Sequence, residues 1–196
     1  MVGRAAELDR LARLVGARNE PAVALVAGEA GIGKTRLVQE LVTQVPAGTV
    51  VLAGQADPGS ESRPMELFLD SLGRVPTGGH AELTEAIGDD SRPAEERIRA
   101  GVDLVRRLTE QATGLVVFED LHWADLESVT IFEKLAEPGG GRLLVVGTYR
   151  PDGLSRRHPA AEMLPRLERR HSVHSSGCCS HPGCSRRMLV GLVADS

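Results

Sequence analysis

Ala22-Val23-Ala24-Leu25-Val26-Ala27-Gly28-Glu29-Ala30-Gly31-Ile32-Gly33-Lys34-Thr35, continuing as a helix-patterned run to Gln44, decides the fold. The first six residues form a short, continuously apolar run, the pattern of a strand buried on both faces. From Lys34 to Gln44 the apolar residues Leu37, Val38, Leu41 and Val42 recur at helical spacing, and Pro46-Ala47-Gly48 ends the run. Thr49 to Ala53 is apolar again and reads as a second buried strand. Strand, loop, helix and strand make a βαβ unit, whose crossover is right-handed.

The loop inside that unit, Gly28 to Thr35, fits the pattern G-x-x-x-x-G-K-[ST] in full. Glycines let the backbone curl so that successive N–H groups point at one anion, and the helix directs its positive end at the same place. Lys34 then reaches the β- and γ-phosphates of a nucleotide, and the Thr35 hydroxyl holds Mg²⁺. Gly28, Glu29, Ala30, Gly31, Ile32, Gly33, Lys34 and Thr35 are therefore the expected phosphate-binding residues. A glycine-rich turn between a strand and a helix would explain neither Lys34 nor Thr35. The chain has only two lysines, Lys34 and Lys134, so a lysine inside a motif is less readily a chance of composition.

Outward from this unit the pattern repeats. An amphipathic helix is expected over Ala5 to Ala17, a short one over Met65 to Leu72 and a longer one over Pro93 to Gln111. Leu115-Val116-Val117-Phe118 is a third buried strand, followed by a helix at Leu126 to Leu135 and a fourth strand at Leu143 to Gly147. Buried strands alternating with amphipathic helices predict an α/β domain with a parallel sheet covered on both faces.

The third strand ends in Glu119-Asp120, and strand ends gather on the sheet edge that carries the phosphate loop. Glu119 is assigned to the metal and Asp120 to orienting or deprotonating an attacking water. Arg150, after the fourth strand, is the candidate for sensing the γ-phosphate through its planar donors. An acidic turn and an exposed Arg before Pro151 are the plainer readings of these positions.

Composition removes other classes. Phe, Tyr and Trp total five residues among 196, too few for base-stacking recognition of single strands. A net charge of −4 offers no basic surplus for a duplex. No apolar run is long enough to span a bilayer, the N-terminus lacks a secretory pattern, and the first 177 residues contain no Cys, so a cytoplasmic setting is expected.

Together the motifs resemble a family. Val2-Gly3-Arg4-Ala5-Ala6-Glu7-Leu8, the Gly28–Thr35 loop, Val117 to Asp125 and Gly147 to Asp152 look like the lead-in, phosphate loop, acidic strand and sensor strand of the AAA-type module of signal-transduction ATPases with numerous domains. The likeness covers residues 2–170 and is greatest to the N-terminal module of large LuxR-type transcriptional regulators. It implies a three-layer P-loop NTPase fold with a five-stranded sheet ordered 5-1-4-3-2, and Arg4 near the adenine. It also implies ATP·Mg²⁺ binding with slow hydrolysis used as a switch, and self-association through the ATPase domain. The metal-site acid of the family is commonly Asp, where this chain has Glu119. The DNA-binding helix-turn-helix of such regulators is not among these residues, so no nucleic-acid contact carries over. A small-molecule phosphotransferase and a nucleotide-binding scaffold without turnover are the alternatives.

Residues 171–196 change character. All three Cys (Cys178, Cys179, Cys184) and three His fall between His171 and Arg187. Adjacent Cys178 and Cys179 with no second ligand pair argue against zinc. The expectation is an ATPase domain over residues 1–170 and an atypical tail over 171–196. A local reading-frame disturbance between about His174 and Arg187 would damage the fifth strand and leave the sheet without that edge. His122 is expected at a helix cap or on the surface, and Trp123 as a packing anchor.

Overall fold

The computed structural model describes residues 5–17, 20–73, 75, 79–138, 141–170, 172–178 and 188–194. Strand β1 (Ala22–Ala27) is buried at all six residues, as its uninterrupted apolar sequence requires. It leads into α2 (Lys34–Gln44) and then β2 (Val50–Gln55). β3 (Gly114–Glu119) is likewise buried throughout, and β4 (Leu143–Tyr149) is buried up to Thr148. These four strands are mutually parallel, in the order β2-β3-β4-β1.

Helices cover both faces because alternate strand residues point to opposite sides. On one face Ala24, Val26, Leu115, Val117, Leu144 and Val146 pack with Leu8 and Leu11 of α1 (Ala5–Leu14) and Leu37 and Leu41 of α2. On the other, Leu25, Leu52, Val116, Phe118 and Val145 meet α3 (Glu66–Leu72), α5 (Ala94–Thr109), α6 (Leu126–Leu135) and α7 (Pro159–Arg170). Phe118 is the centre of this second core, 6.3 Å from Phe68 and 5.8 Å from Phe132 between ring centroids. Two helices that the sequence pattern did not suggest are α4 (Ala81–Gly88) and α7. No helix among the described residues is long and apolar enough to cross a membrane.

The expected strand order needs correction. The internal order 1-4-3-2 is present, but the place beside β1 is not taken by a parallel fifth strand. It is taken by β6 (Met188–Ala194), antiparallel to β1, with β5 (Ser172–Cys178) antiparallel beyond it. The edge beside β1 is therefore paired, contrary to the expectation of a sheet lacking it. Unpaired backbone groups along β1 demand a neighbour. The Leu- and Val-rich β6 sequence suits that inner position better than the Ser-rich β5. Too few residues separate β5 from β6 for the long crossover that parallel neighbours need. Cys179 and Cys184 lie outside the described residues.

One contact sets how closely a helix approaches the sheet. A Cβ on Gly54 of β2 would come within 2.5 Å of the Leu67 carbonyl oxygen and 2.9 Å of the Ser71 nitrogen in α3. Only glycine allows this helix to lie backbone-to-backbone on the strand. Gly54→Ala is expected to lower the unfolding free energy by about 1–3 kcal/mol, measured by urea denaturation.

Candidate functional site

The β1–α2 connection leaves the sheet at its carboxyl edge, where Gly28 N donates to the Tyr149 carbonyl at 3.3 Å and extends the β1–β4 pairing by one residue. The chain then curls. Gly31 and Gly33 have φ of 70° and 90°, in the left-handed region that favours glycine. α2 starts with no side-chain cap and no acidic residue in its first turn. Its first N–H groups and its positive end are thus directed at the loop's hollow without a carboxylate of their own. A Cβ on Gly31 would meet nothing within 4 Å.

Lys34 is 7% exposed and folds over this loop, donating from Nζ to the Gly28 carbonyl at 2.8 Å and the Glu29 carbonyl at 3.1 Å. Burial pushes its pKa below the ordinary range. Asp120 opposes that shift, Arg150 adds to it, and Asp152 and Glu119 oppose it. The Lys34 charge is thus felt by groups at the end of β3 and in the turn after β4.

At the end of β3, Glu119 is buried and its Oε2 has no hydrogen-bond partner among the described residues. Burial raises its pKa; the Thr35 hydroxyl, hydrogen-bonded to the carboxyl, pulls the other way, Asp120 raises it and Lys34 lowers it. The two groups expected to share a metal ion thus touch each other. Asp120 adopts a left-handed φ of 57°, rare outside glycine, which turns the chain sharply out of the strand. Its N–H donates to the Thr148 hydroxyl at 3.0 Å, and its Oδ2 accepts from Gln55 Nε2 at 3.1 Å. Arg150 follows β4, and its buried Nε has no hydrogen-bond partner among the described residues. Arg4 lies outside the described residues.

His122 is the clear misreading. It is neither a cap nor a surface residue but 1% exposed, in the 3₁₀ turn Leu121–Trp123. Its Nδ1 lies 3.9 Å from Asp120 Oδ1. Burial lowers its pKa, with Asp120 opposing and Arg150, Lys34 and His158 adding to the shift. The ring fits because Gly153 has no side chain: a Cβ there would come within 2.6 Å of it. Trp123 is half-buried against the main core, as a packing anchor should be.

Gln55 was missed altogether. The signal was available: in a sheet ordered 1-4-3-2, β2 neighbours β3, and Gln55 registers opposite Glu119. A polar residue closing an apolar strand beside the acidic pair is a natural partner for it.

Residues 1–146 match the family model of the AAA ATPase domain. The chain belongs to that family. The match takes in β1 to β3 and the first four residues of β4, and so covers the loop and the acidic strand end but stops before Gly147 and Arg150. No curated protein and no solved structure matches the chain. Membership of the AAA ATPase domain family implies nucleotide binding. The residues present fit that role: an uncapped helix start with an adjoining ammonium group suits phosphate, and a partnerless buried carboxylate oxygen beside a hydroxyl suits a divalent ion.

The Glu119 shift has a testable sign. Its pKa is raised above the ordinary 4.5, so the folded state is favoured while the carboxyl is protonated and loses that advantage as pH rises through the raised value. Glu119→Gln removes the buried charge. The nucleotide-free variant is expected to gain melting temperature over the parent at pH 8, with the gain shrinking towards pH 4, as followed by circular dichroism.

Proposed function

We propose that this AAA ATPase domain is an ATP·Mg²⁺-binding switch that hydrolyses ATP slowly within a larger transcriptional or signalling regulator. The observation that carries the reading is the convergence of four side chains from separate elements. Lys34 and Thr35 begin α2, while Glu119 and Asp120 end β3. The Thr35 hydroxyl bonds the Glu119 carboxyl, and Glu119 and Asp120 both act on the Lys34 charge.

In this reading the N–H groups of Gly28 to Thr35 and the α2 start hold the β- and γ-phosphates. The Lys34 ammonium leaves its two carbonyl partners for phosphate oxygens, exchanging neutral acceptors for charged ones. Thr35 and Glu119 hold Mg²⁺, which when bound draws charge from the phosphate oxygens. Asp120 orients a water and accepts its proton, and Gln55 keeps one Asp120 oxygen engaged so that the carboxylate presents a defined face. Arg150, whose buried Nε has no hydrogen-bond partner among the described residues, senses the γ-phosphate through its planar guanidinium. Arg4 near the adenine, self-association through this domain and the LuxR-type context rest on the family likeness in Val2–Leu8, Gly28–Thr35, Val117–Asp125 and Gly147–Asp152, and a cytoplasmic setting on the Cys-free first 177 residues and an N-terminus without a secretory pattern. No nucleic-acid contact is assigned to this domain.

Titration with labelled ATP and Mg²⁺, followed by single-turnover phosphate release with protein in excess, tests the assignment. Lys34→Ala is expected to weaken ATP binding about 10- to 100-fold. Asp120→Asn should bind ATP within about twofold of the parent and release phosphate at least about 100-fold more slowly. Absence of saturation at millimolar ATP removes the nucleotide-binding role. Binding without release by the parent chain indicates a scaffold, and release unchanged in both variants removes the ATPase reading.

A further inference from the structure

A circuit of hydrogen bonds and short chain segments runs through α3 and begins and ends on the turn that carries Asp120. At one end, Gln55 Nε2 donates to Asp120 Oδ2 at 3.1 Å. The main-chain N–H of the same Gln55 donates to Asp70 Oδ2, also at 3.1 Å. Asp70 is exposed, yet it spends a carboxylate oxygen on the backbone of the strand end that reaches Asp120. It lies in the last turn of α3.

At the other end, α3 has no side-chain cap of its own. The N–H of Met65, which precedes the helix in a left-handed φ of 63°, donates to Asp125 Oδ1 at 3.0 Å. Phe68 N–H donates to Ser128 Oγ at 3.2 Å, and Ser128 donates to Asp125 through its N–H at 2.8 Å and its hydroxyl at 2.5 Å. Asp125 is 3% exposed and caps α6 with the same oxygen that holds Met65. Between Asp120 and Asp125 lies only the short turn Leu121–Trp123, closed by Trp123 N donating to the Asp120 carbonyl at 2.8 Å. The circuit therefore returns to its origin.

Helix stability alone does not call for this arrangement. A seven-residue helix packed backbone-to-backbone on Gly54 is already fixed against the sheet. What the two carboxylates add is orientation: Asp125 fixes where α3 begins and Asp70 fixes where β2 ends. Both act on the position from which Gln55 reaches Asp120. We propose that Asp70 and Asp125 are positioning residues for hydrolysis, acting through α3 and Gln55 on the Asp120 carboxylate. This rests on the reading of Asp120 as the water-orienting group.

The test uses Asp70, because it is exposed and its loss leaves both cores intact. In single-turnover phosphate release from ATP·Mg²⁺, Asp70→Ala is expected to slow release about five- to tenfold, with half-saturating ATP unchanged within about twofold. Asp70→Asn keeps an oxygen acceptor and should recover most of the parent rate. Gln55→Met, which keeps chain length without a donor, should slow release to the same extent, and Asp70→Ala with Gln55→Met should be no slower than either alone. Additive losses, failure of Asn to rescue, or parent-like release by Asp70→Ala overturn the inference while Asp120→Asn remains slow. If the parent releases no phosphate, or Asp120→Asn is as fast as the parent, the hydrolytic reading itself is overturned and this inference falls with it.

Discussion

An ammonium group held against two carbonyl oxygens of its own loop is the interaction around which the rest is arranged. Lys34 can be buried only because Gly28 and Glu29 offer those carbonyls. It stays partly compensated only because Asp120, Asp152 and Glu119 stand close enough to oppose its desolvation. Those acids arrive from separate elements, so the charge balance depends on the parallel order that puts the carboxyl ends of β1, β4 and β3 side by side. The sheet exists in this form because each of these strands is apolar on both faces and is covered by helices on both sides.

Much of this was legible in the residues. The loop, the acidic strand end and the relative order of four strands follow from apolar runs bounded by turn signals, with the strand order supplied by family likeness. Other features were hidden for physical reasons. α4 offers only Leu83, Ala86 and Ile87 to the core in eight residues, too little for a helical period to stand out. α7 has Ala160, Met163, Leu164 and Leu167 at helical spacing, but Pro165 interrupts the pattern. The antiparallel partner of β1 was not legible because an apolar run such as Met188–Ala194 marks a strand but not its direction, which the pairing with β1 and β5 decides.

Within the site, sequence reading singled out the charged groups and Thr35 but gave no role to Gln55 or Thr148. Both carry no formal charge, yet each bonds Asp120 directly. His122 was misplaced because a histidine following two acids looks solvent-facing, whereas the left-handed turn at Asp120 swings it inward beneath Gly153. Tertiary placement, rather than local pattern, decides such residues.

Gly54 has a mechanical consequence. Where a helix usually rides on a strand through a compressible layer of side chains, here peptide units of α3 rest directly on those of β2. With no cushion between them at this point, the spacing of the two elements is set by main-chain atoms, so a shift of α3 towards the sheet has no side chain to absorb it.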